Sequence, residues 1–198
     1  MHASADAVPL GHRSTAFCLR EVRAEDLPQM FLWARDEQES YLWRGRPEMN
    51  NPQQFQDEIR RYLQEDLLHL VVEDERDHAP CGWFFSYSYS PVLQRCYFAG
   101  YVRPDRRAAG LGARAGLEFL ERLFYHLSVP VRKVAADVYS FNGRSSRNLE
   151  KAGFRLEGAT RDGHYWGGDY CDVLHYGLMR HEWDVLRDRL LPASVRSG

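Results

Sequence analysis

The stretch GYVRPDRRAAGLGARAGLEFLERL, residues 100–123, decides the fold. An apolar strand ends near Val102, a polar turn follows, and Gly110 and Gly112 stand where an amphipathic helix begins. Glycines there leave the first backbone N–H groups of the helix open, at the end where the helix dipole is positive. Four arginines flank the turn and could add charge: Arg103, Arg106, Arg107 and Arg114. The stretch therefore predicts a binding site for a phosphate or diphosphate.

Two other interpretations of the glycines stay open. They could merely permit a tight turn whose arginines are solvated, because a lone glycine-rich turn is a weak signal. GLGARA (residues 110–115) also fits the GxGxxA dinucleotide fingerprint of nicotinamide-dependent oxidoreductases, with Asp137 at the distance of a ribose ligand. Against the fingerprint, PDRRAA separates the strand from the first glycine, the upstream segments look antiparallel, and the second βαβ half has no room.

Patterning on both sides of this stretch predicts one mixed α/β domain with a largely antiparallel first half. Strands are expected at 16–22, 69–74, 81–90, 96–102, 131–138 and 171–180. A first helix is expected from Asp26 to about Glu39, and a second from Pro52, capped by Asn51. Further helices are expected from the glycine turn to about His126, at Arg144–Ala152, and in HEWDVLRDRLL near the end. The strands at 81–90 and 96–102 should form a hairpin through Pro91–Arg95. A loop, SYLWRG (residues 40–45), separates the first two helices.

Composition limits the classes of partner and compartment. Of 198 residues, 44% are hydrophobic and 27% charged, and the formal net charge of −2 gives no electrostatic reason to expect nucleic acid or an anionic membrane. The scattered cysteines (Cys18, Cys81, Cys96 and Cys171) are expected to be reduced. The start has no apolar signal region, so a cytoplasmic location is expected. The expected layout is a flexible arm at 1–14, a domain at 15–185 and a tail at 186–198.

Over about residues 17–185 the chain resembles the GNAT superfamily of N-acetyltransferases. Arg107-Ala-Ala-Gly110-Leu-Gly112 fits that family's (R/Q)xxGxG/A motif. VYSFNGRSSRNLEKAGFRLEG (138–158) and RDGHYWGGDYCDVLHYGLMRHEW (161–183) resemble later blocks of the RimJ/RimL-like branch. The resemblance implies an α/β GNAT fold, with a mixed, mostly antiparallel central sheet whose central strands splay apart, flanked by helices. It further implies acetyl-CoA as co-substrate and no metal.

The resemblance also assigns the cofactor-binding residues. The backbone of Gly100, Tyr101 and Val102 would hold the pantetheine arm like an added strand, and Gly100 suits a bulge. The pyrophosphate would lie on Arg107, Ala108, Ala109, Gly110, Leu111, Gly112 and Ala113. Asn142 and Ser145 would contact the cofactor near its thiol. Many family members carry a tyrosine general acid seven residues after the asparagine, where this chain has Leu149.

Candidates for the chemistry each have an ordinary structural alternative. The Val102 N–H could stabilise the oxyanion. Asp137 or Glu157 could accept the amine proton, although Asp137 could equally pair with a nearby arginine or lysine and Glu157 could merely close a turn. Ser145 could donate to the thiolate or cap the following helix. His164 could reach the acceptor or be a solvated loop residue.

An aromatic acceptor pocket is expected from the loop between the first two helices and a late hairpin. Its candidate members are Tyr41, Trp43, Tyr87, Tyr89, Tyr165, Trp166 and Tyr170, which could bind a cation or a sugar ring or could be ordinary core. The expected activity is acetyl transfer to a primary amine of a small molecule or a peptide N-terminus. The alternative is a non-catalytic module that binds CoA as a sensor or partner. A homodimer is compatible with either.

Overall fold

The computed structural model describes residues 16–36, 51–107 and 110–196. Its elements, in chain order, are β1 Phe17–Glu21, α1 Leu27–Ala34, α2 Pro52–Glu65, β2 His69–Asp74, β3 Pro80–Ser90, β4 Arg95–Val102, α3 Leu111–Tyr125, β5 Lys133–Tyr139, α4 Gly143–Lys151, β6 Arg155–Trp166, β7 Asp169–Met179, α5 Arg180–Leu190 and α6 Ala193–Arg196. Short 3-10 turns precede α1 (Ala24–Asp26) and α3 (Pro104–Arg106). No helix in these described ranges is long and apolar enough to span a membrane.

The strands form one mixed sheet of seven strands in the order β1-β2-β3-β4-β5-β7-β6. Every neighbouring pair is antiparallel except β4 and β5, which are parallel and joined through α3. The carboxyl ends of β4 and β5 therefore lie at the same edge of the sheet, and so do the N-termini of α3 and α4, which follow them.

The sheet is split between β4 and β5. These strands pair over three residues of each, Arg95–Tyr97 with Lys133–Ala135, although β4 continues to Val102 and β5 to Tyr139. Beyond that point the two strands diverge into a cleft, named here the split. This confirms the predicted fold class, including the splayed central strands.

Helices cover both faces of the sheet, each over its own apolar cluster. On one face α1 and α2 pack with Trp83 and Tyr101, and Phe55 and Ile59 of α2 are fully buried. On the other face α3 packs on alternate residues of β2 to β5 and β7, joined by Leu149 of α4 and by α5. The alternation of a β-strand thus sends neighbouring residues such as Trp83 and Phe84 to opposite faces.

Several predicted elements need correction at their ends. Asn51 caps α2 as expected, because its side chain accepts from the N–H groups of Gln53 and Gln54. The first α-helix begins at Leu27 and ends at Ala34, short of Glu39, because Arg35 tightens the last turn by donating its N–H to Leu32. Most of strand β6 was missed, because only its end was expected, as part of a late hairpin. It is an edge strand with nearly all its side chains exposed, so no apolar alternation marks it.

Candidate functional site

The predicted phosphate turn lies at the carboxyl end of β4, where α3 begins. Gly110 is the residue before the helix, with φ +73° and ψ 18° in the left-handed region. A Cβ built there meets no atom of the described residues within 4 Å, so Gly110 borders open space in this part of the structure, at the positive end of α3. Leu111 is buried beneath it, while Gly112 and Ala113 continue the first turn. Ala108 and Ala109 lie outside the described residues.

Most of the arginines near this turn are engaged by the protein itself. Arg106 donates to Asp74 and to Asp77, each at 2.6 Å, and Arg103 pairs with Asp105 at 2.9 Å. The prediction that both surround a bound anion therefore needs correction, since their carboxylate partners already occupy them. Instead they hold the turn in place.

Arg107 and Arg114 have different surroundings. The Nε of Arg107 donates to the carbonyl oxygen of Val102 at 2.7 Å, and its guanidinium lies 5.9 Å from the centre of the Tyr101 ring. Arg114 lies over the Phe17 ring at 4.9 Å. Arg107 thus links the end of β4 to the glycine turn, at the mouth of the split.

The backbone of β4 presents alternate residues to the split. Arg103 donates its N–H to the carbonyl oxygen of Cys81 at 2.9 Å, and the β3–β4 register runs unbroken from there through Tyr97. In an antiparallel ladder bonded pairs alternate, so the N–H and C=O of Tyr101 face β3. Those of Gly100 and Val102 face away from β3, toward the split.

Gly100 does not form the expected bulge. The register shift in this pair lies between Tyr87 and Ser90 instead. Glycine is required at position 100 for space, because an added Cβ would lie 2.3 Å from the Phe84 ring. Phe84 in turn packs on Phe98 and Phe119, so this contact belongs to the core under α3.

Helix α4 begins at the carboxyl end of β5, across the split from the glycine turn. Asn142 caps it, accepting from the N–H of Ser145 at 3.2 Å. Ser145 is therefore not the cap, and its hydroxyl stays a candidate donor. Leu149, at the place where the resemblance would put a tyrosine, is buried against the core and offers no acid.

Buried thiols give no evidence of a cysteine nucleophile. Burial raises the pKa of Cys96 to about 12 and that of Cys81 to about 11, which keeps both protonated at neutral pH. The described residues also contain no cluster of side chains that could hold a metal ion. The raised pKa values disfavour a thiolate nucleophile at Cys81 and Cys96.

Asp137 stands beside the split with a histidine behind it. Its neighbours Ala136 and Val138 face the core under α3, so Asp137 lies on the face that carries α1 and α2. Its carboxylate contacts Nδ1 of His175 at 2.8 Å, and Nε2 of that ring lies 2.8 Å from the hydroxyl of Thr160. The partner is therefore a histidine and not the arginine or lysine expected as the structural alternative. The side chains of both Asp137 and His175 are more than a third exposed.

The other predicted carboxylate and histidine have structural partners. Both carboxylate oxygens of Glu157 accept from Nζ of Lys133, one at 2.7 Å, and the side chain lies over Gly177. His164 belongs to β6 and stacks on Tyr139 with ring centres 4.1 Å apart. His175 and Thr160, in contrast, were missed by the sequence analysis, because only the β5–β7–β6 register brings them beside Asp137.

The predicted aromatic residues form two groups, not one. Tyr87 and Tyr89 line a cavity of about 300 Å³ between the end of α2 and β2–β3, together with Tyr62, Glu65, Asp66, His69, Trp83, Phe85 and Ser88. Tyr165 and Trp166 are at the tip of the β6–β7 hairpin, where Tyr165 contacts Tyr170 and Trp166 contacts Phe141. By strand rise the groups are roughly 20 Å apart. Tyr41 and Trp43 lie outside the described residues.

Comparison with known proteins identifies the family. The chain belongs to the family described as the acetyltransferase (GNAT) domain, whose model matches residues 16–155. It is 33% identical over 89 residues to the SPbeta prophage-derived uncharacterized N-acetyltransferase YokL of Bacillus subtilis, covering 45% of this chain and 49% of that one. It is 25% identical over 108 residues to the putative ribosomal N-acetyltransferase YdaF of the same organism, covering 54% and 58%. The chain thus spans about half the length of these curated relatives.

Solved structures show the same fold. Spermidine N-acetyltransferase from Vibrio cholerae, in complex with CoA and spermine, superposes with a TM-score of 0.75 at 18% identity, over 84% of this chain and 97% of that one. A chimera of SpeG from Vibrio cholerae and hSSAT gives 0.74 at 16% identity, over 86% and 98%. At this identity the likeness establishes the fold.

Proposed function

We propose that this protein is an acetyl-CoA-dependent N-acetyltransferase that transfers the acetyl group to a primary amine. The single observation that carries the proposal is the split: β4 and β5 pair over three residues and then diverge, with the first turns of α3 and α4 at its open end. Membership of the GNAT family supports it. The RimJ/RimL-like branch, a cytoplasmic location and the domain limits at 15 and 185 remain part of this proposal, supported by the sequence blocks alone.

The residues present fit the co-substrate. Gly100 would offer its N–H and C=O groups to the amides of the pantetheine arm, as a neighbouring strand does, and Val102, whose C=O already accepts from Arg107, would contribute its N–H at the thioester end of the arm. The N–H groups at Gly110, Leu111 and Gly112 would bind the diphosphate, where glycine leaves open space for it. Arg107 and Ala113 would complete this cradle; Ala108 and Ala109, which the resemblance also assigns to it, lie outside the described residues. Asn142 and Ser145 would stand near the thiol.

Transfer requires the amine to lose a proton before its nitrogen attacks. Alkyl ammonium groups have pKa values near 10, so a proton acceptor in the cleft raises the reactive fraction. We assign that role to Asp137, with His175 as the group that orients it and shares the proton. Counting on from the last parallel pair, Tyr97 with Ala135, places Asp137 level with Ala99 across the split. The side chain of Ala99 is a single methyl group, so it leaves room for an amine beside Asp137.

In the bond-making step the amine nitrogen bonds to the acetyl carbon, the C–S bond breaks, and the thiol leaves as thiolate. The Val102 N–H would stabilise the oxyanion of the tetrahedral intermediate. Ser145 would donate to the departing sulfur, because Leu149 cannot. A thiolate is a tolerable leaving group, since free thiols have pKa values near 8.5.

Calorimetry with CoA tests the cofactor site. Gly110→Asn should weaken CoA binding at least about tenfold, because asparagine tolerates a positive φ yet fills the cradle. Gly167→Asn is the matched control, since Gly167 also has positive φ (61°) and open space around it but lies in the β6–β7 hairpin. Equal CoA affinity in both variants contradicts the site.

Turnover then decides between an enzyme and a sensor. Acetyl-CoA with a panel of primary amines should release free thiol and give acetylated amine by mass spectrometry. Tight CoA binding without thiol release from any amine would favour the non-catalytic module, to which the absent tyrosine at Leu149 lends some support.

A further inference from the structure

We infer that the cavity between α2 and β3 binds a second positive charge of the acceptor, so that the preferred substrates are diamines or longer polyamines. This rests on the proposed function, because the first amine of the same molecule is the one acetylated at the split. The inference follows from the lining of the cavity, from a buried histidine in it, and from its place in the sheet.

The lining is suited to an organic cation. About 300 Å³ of space is bordered by aromatic rings and two carboxylates, and none of the described residues that line it is lysine or arginine. Aromatic faces attract an ammonium group within about 6 Å, more strongly when it is desolvated. Glu65 and Asp66 end α2 at the rim, so an ammonium that leaves water gains both kinds of contact. An anion would meet carboxylates there.

His69 fixes one of these carboxylates. It is 6% exposed, its ring stacks on Phe85 at 5.5 Å, and its Nε2 lies 3.0 Å from Oδ2 of Asp66. Its Nδ1 is buried and meets no hydrogen-bond partner in the described part of the chain. The Nε2 contact with Asp66 therefore orients the ring. Asp66 is thereby held in position at the edge of the cavity, while Glu65 is more exposed and pairs with Arg61 at 3.0 Å.

The sheet register places the cavity and Asp137 in one row. His69 pairs with Phe85 and Phe85 with Ala99, whereas Asp137 pairs with His175 on the far side of the split. All these positions lie on the face of α1 and α2. With strands about 4.8 Å apart, the cavity over β2–β3 lies roughly 10 Å from the split. A chain of about six to eight carbons, at ordinary bond lengths, spans that distance.

The test compares 1,n-diaminoalkanes with n-alkylamines of the same length, at saturating acetyl-CoA. We expect kcat/KM for the diamines to exceed that for the matched monoamines by at least about tenfold, with a maximum near six to eight carbons. Asp66→Asn and Glu65→Gln should each reduce that ratio at least threefold. Both changes keep side-chain shape, and the asparagine oxygen can still accept from His69. Asp57→Asn, an exposed position on α2 that pairs with Arg60, should preserve the ratio.

The outcomes separate this inference from the proposed function. Equal turnover of diamines and monoamines, or better turnover of peptide N-termini than of any diamine, overturns the cation site and leaves the N-acetyltransferase standing. If no amine is acetylated although CoA binds, the proposed function fails. The cavity is then tested by calorimetry with 1,7-diaminoheptane alone, where binding lost in Asp66→Asn supports the site and no heat with the unchanged protein overturns it.

Discussion

Asp137 and Glu157 are exposed carboxylates on the same face of the sheet, and their partners distinguish them. Glu157 is bound through both oxygens by a lysine, whereas Asp137 contacts a histidine that can exchange a proton. Only Asp137 borders the split. Residue types and spacing identified both as candidates, but the partners depend on strand register, which the sequence does not reveal.

Replacing Asp137 by Asn should lower kcat/KM about 10²- to 10³-fold, because the proton acceptor is lost, while CoA affinity stays within about twofold. His175→Gln should cost less, about tenfold, since the carboxylate remains. Steady-state kinetics with a diamine and calorimetry with CoA give these values. Glu157→Gln is the control and should keep near-normal kinetics; a loss as large as that of Asp137→Asn would move the base to Glu157.

At the scale of elements, the turn between β4 and α3 is anchored to the end of β2. Asp74 is fully buried and receives hydrogen bonds from Arg76 and Arg106, and these guanidiniums, Arg76 first, hold its pKa well below the usual range. The arginines were expected to bind the ligand directly. The sequence shows where charged residues lie along the chain. It does not show that Arg106 pairs with Asp74, which lies 32 positions earlier and on another strand.

Asp74→Asn should lower the free energy of unfolding by about 1–3 kcal/mol at pH 7, because charge-assisted hydrogen bonds are lost. It should also weaken CoA binding, since the turn is no longer fixed. A carboxylate with a depressed folded-state pKa stabilises the fold above its unfolded value, near 4, and loses that contribution as pH falls toward the folded value. The difference between wild type and variant should therefore be constant from pH 7 to about 5 and shrink below about 4.

Urea denaturation across that pH range measures the difference. Asp105→Asn, an exposed position in the same turn, is the control and should change stability by less than about 0.5 kcal/mol. A wild-type advantage that stays undiminished down to pH 2 would contradict this account of Asp74.

For the whole molecule, the order of elements, the central hairpin and the split follow from sequence patterns and the family resemblance. The strands that were recognised are rich in apolar residues because helices cover both faces of the sheet there. Strand β6 escaped notice because an edge strand with exposed side chains carries no such pattern. The cavity between α2 and β3 was not predicted either: Tyr87 and Tyr89 were identified as candidates, but His69 and Asp66 join them only through the packing of α2 on the sheet.

The divergence of β4 from β5 also has a consequence for amide hydrogen exchange. In most sheets the interior amides are the slowest to exchange, yet here the N–H groups of Gly100 and Val102 border an opening at mid-sheet. We expect them to exchange at least about tenfold faster than that of Tyr101, which faces β3, and to slow on addition of CoA. Exchange measured with residue resolution would show the contrast, and equal protection of all three without ligand would mean that the opening is closed in solution. In this proposal the pantetheine arm of CoA takes the place of an eighth strand, and it fills the opening between β4 and β5 that the apoprotein leaves.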